Sequence, residues 1–216
     1  MISATIVFDN TTKNKQLKAD WGFACVIEYH DRMLLFDTGA DGNILLNNMK
    51  KLNINPQSIH SVFISHNHFD HIGGLSHFLN ENSDVILYLP QSLRGVTHGR
   101  EIIHIDDNPR ELEKGIFTTG ELEGIEQSLV ISTSKGMVIF VGCSHPDMNK
   151  ILSRAKQFGK LFGIIGGLHG FNHYKLFQDL QLICPTHCTK NKQVIKNIYP
   201  DKVIEGGVGL QIVISS

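Results

Sequence analysis

The chain has 216 residues, of which 41% are hydrophobic and 19% charged. A charged share below the usual quarter or so excludes a disordered polar chain and predicts a compact fold with much buried surface. Twenty Lys and Arg residues nearly balance 21 Asp and Glu residues. The chain therefore lacks the broad basic field that nonspecific nucleic-acid binding needs.

The hydrophobic pattern changes along the chain. Apolar runs between turn residues predict strands, and apolar residues at helical spacing predict helices. In the first two thirds, the sequence predicts one helix at 41–52 and strands at 2–8, 24–28, 33–36, 61–65, 85–89, 129–132 and 137–142. After residue 147 it predicts helices at 148–158, 174–180 and 191–198, strands at 161–165 and 182–184, and one or two closing strands within 203–215. We expect one α+β domain over residues 1–216.

Targeting signals are not evident in the sequence. The first nine residues have no basic start and no long apolar core, and no later stretch approaches the ~18 apolar residues of a spanning helix. The four cysteines, at positions 25, 143, 184 and 188, are too scattered for a disulfide scaffold. We expect a cytoplasmic protein with no membrane partner.

The densest group of metal-binding side chains is at residues 66–71, which read His-Asn-His-Phe-Asp-His directly after a short apolar strand. Neutral imidazole and carboxylate are ligands that zinc, manganese and iron accept. In a strand-to-helix turn, His66 and His68 can face one side while Asp70 and His71 face another. The segment can therefore serve two metal ions.

A second carboxylate, Asp37, ends the apolar strand predicted at 33–36. A buried acid there must be hydrogen-bonded or paired, because an isolated buried charge is costly. A hydrogen bond to Asp37 from a metal-bound histidine, with Asp37 itself not a ligand, would satisfy the carboxylate. A helix N-cap or turn role is the alternative, and this segment alone does not decide between the two.

Further histidines follow apolar strands later in the chain: His145, His169 and His187, each near glycine or proline. Functional loops commonly gather at one edge of an α/β sheet, so we expect His145 and His187 to join the 66–71 cluster. His169 stays open between a ligand, a substrate contact and a structural residue. Cys143 also stays open, because its thiolate would suit a soft metal ion.

These motifs resemble the metallo-β-lactamase superfamily. Residues 66–71 match its HxHxDH signature, and residues 36–39 match the aspartate segment that precedes it. The resemblance implies an αββα sandwich of two mixed sheets flanked by helices, with a dinuclear metal site along one edge. Within the superfamily, the chain is similar to metal-dependent hydrolases related to the dihydropterin–ribofuranosylaminobenzene phosphate synthase. The matching stretches include 8–10, 126–129, 141–145, 166–169 and 185–189.

The resemblance also implies a ligand set. Carried over by position, it assigns two groups of three ligands: His66, His68 and His145 for one ion, and Asp70, His71 and His187 for the other. Most members have a bridging aspartate where Cys143 stands, and an upstream histidine near Glu126. Glu126 is then either an oxygen donor or a residue that orders the loop. The expected cofactors are two divalent ions, zinc first, with manganese or iron as alternatives.

The function implied is a metal-dependent hydrolase acting on a small anionic substrate that contains a phosphate or an ester. Metal ions would lower the pKa of a bound water from about 15.7 toward neutrality and polarise the bond under attack. Asp70 would ligate one ion and orient the attacking metal-bound hydroxide, and His169 is the candidate proton donor or oxyanion contact. The alternatives are a synthase joining an activated pterin to an arylamine ribose phosphate, a diiron module, and a non-enzymatic metal-dependent sensor of a small molecule.

Overall fold

The computed structural model describes residues 1–215, and its strands form two mixed sheets. The first sheet contains β1 (Ile2–Phe8), β2 (Ala24–Tyr29), β3 (Arg32–Phe36), β4 (Ser61–Phe63), β5 (Ile86–Pro90), β6 (Glu101–Ile105) and, from the end of the chain, β13 (Gln211–Ile214). The second contains β7 (Arg110–Glu113), β8 (Ile116–Thr118), β9 (Leu129–Thr133), β10 (Gly136–Val141), β11 (Leu161–Gly167) and β12 (Leu182–Thr186).

Both sheets combine a parallel half with an antiparallel half. The strand order is β13-β1-β2-β3-β4-β5-β6 in the first and β12-β11-β10-β9-β8-β7 in the second. Strands β3 to β6 are parallel, as are β10 to β12, and the remaining neighbours are antiparallel. Parallel neighbours need crossover connections, and most of the helices lie in those connections.

The helices of residues 1–215 are α1 (Gly42–Lys51), α2 (Phe69–Ile72), α3 (Leu75–Glu81), α4 (Met148–Lys156) and α5 (Lys192–Ile198), with 3₁₀ turns at Pro56–Ser58 and Tyr174–Phe177. Helix α1 shows why the chain turns helical where it does. The Asp41 carboxylate accepts the first free N–H groups, and Lys50 and Lys51 lie at the negative end of the helix dipole. None of the helices in the described residues is long and apolar enough to cross a membrane.

Strand side chains alternate between two buried faces. Ile6, Phe36 and Phe140 fill the space between the sheets. Leu35 packs under α1 and α3 on the outer face of the first sheet, and Ile139 packs under α4 on the outer face of the second. Burial on both faces explains why these strands are continuous apolar runs in the sequence. The predicted α+β class and αββα sandwich are confirmed.

Several predicted elements differ from the structure. Strands β6, β7 and β8 lie in a region where the sequence predicted none, because their side chains are largely charged or half-buried and alternate weakly. The helix predicted at 174–180 is only a 3₁₀ turn. In the closing segment the strand is Gln211–Ile214, and Val203 makes a single bridge with Ile183.

Candidate metal centre

The six predicted ligands converge at one edge of the sandwich. They follow β4 of the first sheet and β10 and β12 of the second. The donor atoms of each predicted group lie within 4.8 Å of one another: His66, His68 and His145 in the first group, and Asp70, His71 and His187 in the second. The side chains of each predicted group therefore lie together in the structure. Metal binding by the two groups stays a prediction.

The first group brings three imidazoles together, and the pKa values of His66 and His145 are lowered. His66 Nε2 lies 3.1 Å from His68 Nδ1, and the His145 ring centroid is 4.9 Å from that of His66. His145 Nε2 is buried, and no group in residues 1–215 hydrogen-bonds to it. Burial lowers the pKa of His66 to about 4 and also lowers that of His145. At neutral pH both rings therefore offer a lone pair, and a metal ion fits the unpaired nitrogen.

The second group combines a carboxylate with two buried imidazoles. Asp70 Oδ2 lies 3.1 Å from His187 Nε2. Burial raises the pKa of Asp70, but the His187 hydrogen bond and nearby imidazole charges outweigh it and hold that pKa below its usual range. Burial lowers the pKa of His71 to about 3. The group therefore presents one negative charge at Asp70 and a neutral imidazole at His71.

Asp37 supports ligands in both groups. Its Oδ2 lies 2.7 Å from His71 Nδ1 and accepts the Ser65 hydroxyl, while its Oδ1 accepts the Ser65 N–H. The same hydroxyl lies 2.8 Å from His66 Nδ1. Of the two alternatives left open for Asp37, the structure therefore shows the supporting position, and the N-cap of α1 is Asp41 instead. Apart from its position next to the 66–71 motif, nothing in the sequence indicated that Ser65 would hydrogen-bond to both Asp37 and His66.

His187 is held by two residues that sequence reasoning gave no role. The Asp9 carboxylate accepts the His187 N–H at 2.7 Å. Asn10 Oδ1 lies 2.9 Å from His187 Nδ1, and the Asn10 amide donates to the His187 carbonyl. Their signal was a polar pair directly after the mostly apolar strand β1, within a stretch that matches the family.

Glu126 orders the loop that carries His145. Its Oε1 accepts N–H groups from Gly142, Cys143 and Ser144 at 2.9 to 3.1 Å, and its Oε2 accepts the His145 N–H at 3.0 Å. Burial raises its pKa, but His66 and these N–H groups outweigh burial and lower it. Both carboxylate oxygens of Glu126 accept hydrogen bonds from backbone N–H groups. Of the two roles considered for Glu126, the structure therefore shows that it orders the loop and does not show an oxygen donor for a metal ion.

Cys143 lies between the two groups. Its Sγ is 3.2 Å from His71 Nε2. It lies within 4.8 Å of donor atoms of His66 and His71, and also of His187 and Cys188. The thiol is thus close to ligands of both predicted ions, in the position where most superfamily members have a bridging carboxylate.

His169 lies outside both groups. Its side chain is exposed and lines a cleft of about 270 Å³ together with Ser144 and His145. The ring centroids of His169 and His145 are 5.3 Å apart. This position beside the first group suits contact with a substrate in the cleft better than ligation.

Known proteins share this architecture. The crystal structure of Tm1679, described as a metal-dependent hydrolase of the β-lactamase superfamily, superposes on the whole chain over its own whole length with a TM-score of 0.80 at 23% identity. The chain has the metallo-β-lactamase fold. A diphosphatase of the PhnP family, also of this fold, matches 100% of this chain and 98% of its own with a TM-score of 0.67 at 13% identity.

The metallo-β-lactamase-fold chain also has relatives by sequence. The 7,8-dihydropterin-6-methyl-4-(beta-D-ribofuranosyl)-aminobenzene-5'-phosphate synthase of Methanocaldococcus jannaschii is 28% identical over 86% of each chain. This similarity confirms the subgroup resemblance drawn from the motifs. The family model described as Anti-Pycsar protein Apyc1 matches residues 12–94, which include the 66–71 motif.

Proposed function

We propose that the protein is a metal-dependent hydrolase of small anionic substrates that carry a phosphate or carboxylic ester. The observation that carries this proposal is the convergence of two three-donor groups at one edge of the sandwich, with a buried imidazole nitrogen left unpaired at His145. The donors are mostly imidazole with one carboxylate, a set that suits zinc first and manganese or iron second. Bound divalent ions supply Lewis acidity and make water more acidic.

The chain's own residues have separate tasks in this proposal. His66, His68 and His145 would hold one ion, and Asp70, His71 and His187 the other. The Asp70 carboxylate stays ionised, so it can also accept a hydrogen bond from the attacking water and orient it. His169, which lines the cleft beside His145, would donate a proton from its ring to the leaving oxygen.

The test combines metal content with turnover. The purified protein is analysed for metals and assayed on bis-p-nitrophenyl phosphate, p-nitrophenyl phosphate and a panel of lactones. We expect about two divalent ions per chain and turnover of at least one ester. His66→Ala and His187→Ala should each lower the metal content and abolish that turnover, whereas His104→Ala, which removes an exposed histidine of β6, should change neither. Full turnover by a metal-depleted variant would refute the site.

The second candidate function is a synthase that joins an activated pterin to an arylamine ribose phosphate. The 28% identity to the Methanocaldococcus synthase over most of both chains favours it. The same donors would serve, because clamping a leaving diphosphate and activating water both use divalent ions. Incubation with a pterin diphosphate, with and without the arylamine, separates the two functions. A condensation product supports the synthase, and release of free pterin alcohol alone supports the hydrolase.

A further inference from the structure

Trp21 lies directly against the second ligand group. Its Nε1–H donates to Asp70 Oδ2 at 2.8 Å, and its ring meets the His187 ring edge-on, with centroids 4.9 Å apart and planes at 63°. Even so, 51% of the residue is exposed. One edge of the indole is therefore fixed at the site, and a large part of its apolar surface faces solvent.

Exposure of this kind is rare among the aromatic side chains. Within residues 1–215, Trp21 and Phe69 are the only Phe, Tyr or Trp residues that are exposed, at 51% and 67%. Both adjoin one carboxylate, since Phe69 precedes Asp70 in α2 and Trp21 hydrogen-bonds to it. Burying an aromatic ring is normally favourable, so an exposed indole held against the donor group indicates a surface that a ligand covers.

The backbone that carries Trp21 is well anchored. Phe23 N–H donates to the Asp70 carbonyl at 3.2 Å, and the Phe23 side chain is fully buried. Gly22 N–H donates to Asn10 Oδ1 at 3.1 Å. A Cβ on Gly22 would lie 2.6 Å from the Asp70 carbonyl oxygen, so this close approach requires glycine. An anchored ring loses little conformational entropy when a ligand stacks on it.

We propose that Trp21 is a stacking platform for a planar aromatic or heteroaromatic part of the substrate. The inference rests on the proposed function, because it takes the substrate's anionic group to lie at the two donor groups. The ring of the substrate would then lie on the exposed indole face, with Phe69 as a second apolar wall. Stacking of a base on an aromatic side chain contributes enough to predict a preference of about tenfold or more over a ligand without the ring.

The test uses two phosphate monoesters that differ by a planar ring. Adenosine 5'-monophosphate and ribose 5-phosphate share the ribose phosphate and are titrated into the zinc-loaded protein by calorimetry. We expect the adenosine compound to bind about tenfold more tightly. Trp21 is the only tryptophan of the chain, so its fluorescence should be quenched by that compound. Equal affinities, or no binding of adenosine 5'-monophosphate, would overturn the proposal.

Two variants separate stacking from mere support of Asp70. Trp21→Phe keeps an aromatic ring but removes the N–H donor, and Trp21→Leu removes both. If Trp21 stacks, the affinity ratio of the two ligands survives in Trp21→Phe and falls toward one in Trp21→Leu. If Trp21 only orients Asp70, the two variants behave alike and both keep the native ratio, which overturns the proposal. A ratio is informative even where a variant binds zinc less well, because weaker zinc binding affects both ligands.

The same samples test the proposed function separately. Zinc content and turnover of bis-p-nitrophenyl phosphate depend on the six donors and on no adenine ring. Metal-dependent turnover with equal affinity for the two ligands would overturn the stacking proposal and leave the hydrolase proposal standing. Absence of zinc and turnover would overturn the hydrolase proposal first.

Discussion

His71 Nδ1 lies 2.7 Å from Asp37 Oδ2, and neither side chain has exposed surface. Asp37 also accepts the N–H and hydroxyl of Ser65. An ionised carboxylate can only accept hydrogen bonds, so the proton of this pair lies on His71 Nδ1. The lone pair of His71 then lies on Nε2, which faces the centre of the site and Cys143. Asp37 thus fixes the tautomer that metal ligation requires.

Loss of the Asp37 carboxylate should therefore weaken metal binding without removing a ligand. We expect Asp37→Asn to lower zinc affinity by roughly 10- to 100-fold, the usual effect of losing a carboxylate that supports a ligating histidine. Competition with a chromogenic chelator measures this affinity. Asp31→Asn, at the exposed turn between β2 and β3, is the matched control and should bind zinc as the native protein does. Native affinity in Asp37→Asn would show that zinc binding does not need the Asp37 carboxylate to orient His71.

Zinc binding should also depend on pH near neutrality. Burial raises the pKa of Asp37 to about 7 in the metal-free protein. Ligation through His71 Nε2 needs the ionised form, so a proton on Asp37 competes with zinc. As pH falls through about 7 the metal-free protein gains this proton, and zinc affinity should fall. Above that pH the Asp37 contribution is constant.

Calorimetry at pH 6, 7 and 8, in buffers of different ionisation enthalpy, measures both affinity and proton release. Asp37→Asn should release fewer protons per zinc at pH 6 and show a shallower slope. Identical proton release by the native protein and Asp37→Asn would contradict the assignment of this proton to Asp37.

Glu126 should matter for stability more than for chemistry. Glu126→Ala leaves four N–H groups of the 142–145 loop without their acceptor. We expect the free energy of unfolding to fall by about 3 kcal/mol or more, because buried donors without partners are costly. Glu123→Ala removes an exposed carboxylate that pairs with Lys150 in the segment that carries Glu126, and should change stability by less than about 1 kcal/mol. Urea denaturation of metal-free samples compares the two, and equal losses would contradict the role of Glu126.

The sequence predicts the histidine cluster well, but it predicts poorly which residues hold those histidines in place. Histidines at 66, 68 and 71 are neighbours along the chain, and strand ends at one sheet edge bring in His145 and His187. The supports are long-range pairs, such as Asn10 with His187, which are 177 positions apart. Hydrophobic periodicity in the sequence does not indicate a contact between residues so far apart. Only the folded topology brings the two residues together.

Backbone strain at the site was equally invisible in the sequence. Asp37, Ser144, His169 and His187 have φ values of 54°, 59°, 42° and 41°, in the left-handed region that such residues rarely adopt. The surrounding structure holds them there: the N–H groups of Ser144 and His187 donate to buried carboxylates. Such conformations cost energy and concentrate at functional sites. There they direct a side chain to a position that the regular end of a strand would not give it.

Cys143 should contact the bound metal. In the cobalt-loaded protein we expect a thiolate-to-cobalt charge-transfer band in the near ultraviolet, because the Cys143 thiol lies 3.2 Å from a ligand nitrogen and a metal ion deprotonates a coordinating thiol. The band should disappear in Cys143→Ala and persist in Cys184→Ala, because the Cys184 thiol is buried in the core between the two sheets. Its loss in Cys188→Ala with retention in Cys143→Ala would assign the contact to Cys188 instead.

His169 should affect catalysis and leave metal binding intact. We choose His169→Asn because asparagine tolerates the left-handed backbone at this position. If the imidazole donates a proton to the leaving group, kcat should fall by roughly 100-fold or more, while zinc content and melting temperature stay at the native values. The fall should be smaller for esters with good leaving groups such as p-nitrophenolate, since these need less protonation.

His30→Asn is the matched control, because His30 is also exposed with a positive φ, of 54°, at the remote turn between β2 and β3. Native kcat in His169→Asn would remove its proposed role, and loss of zinc would make His169 a ligand.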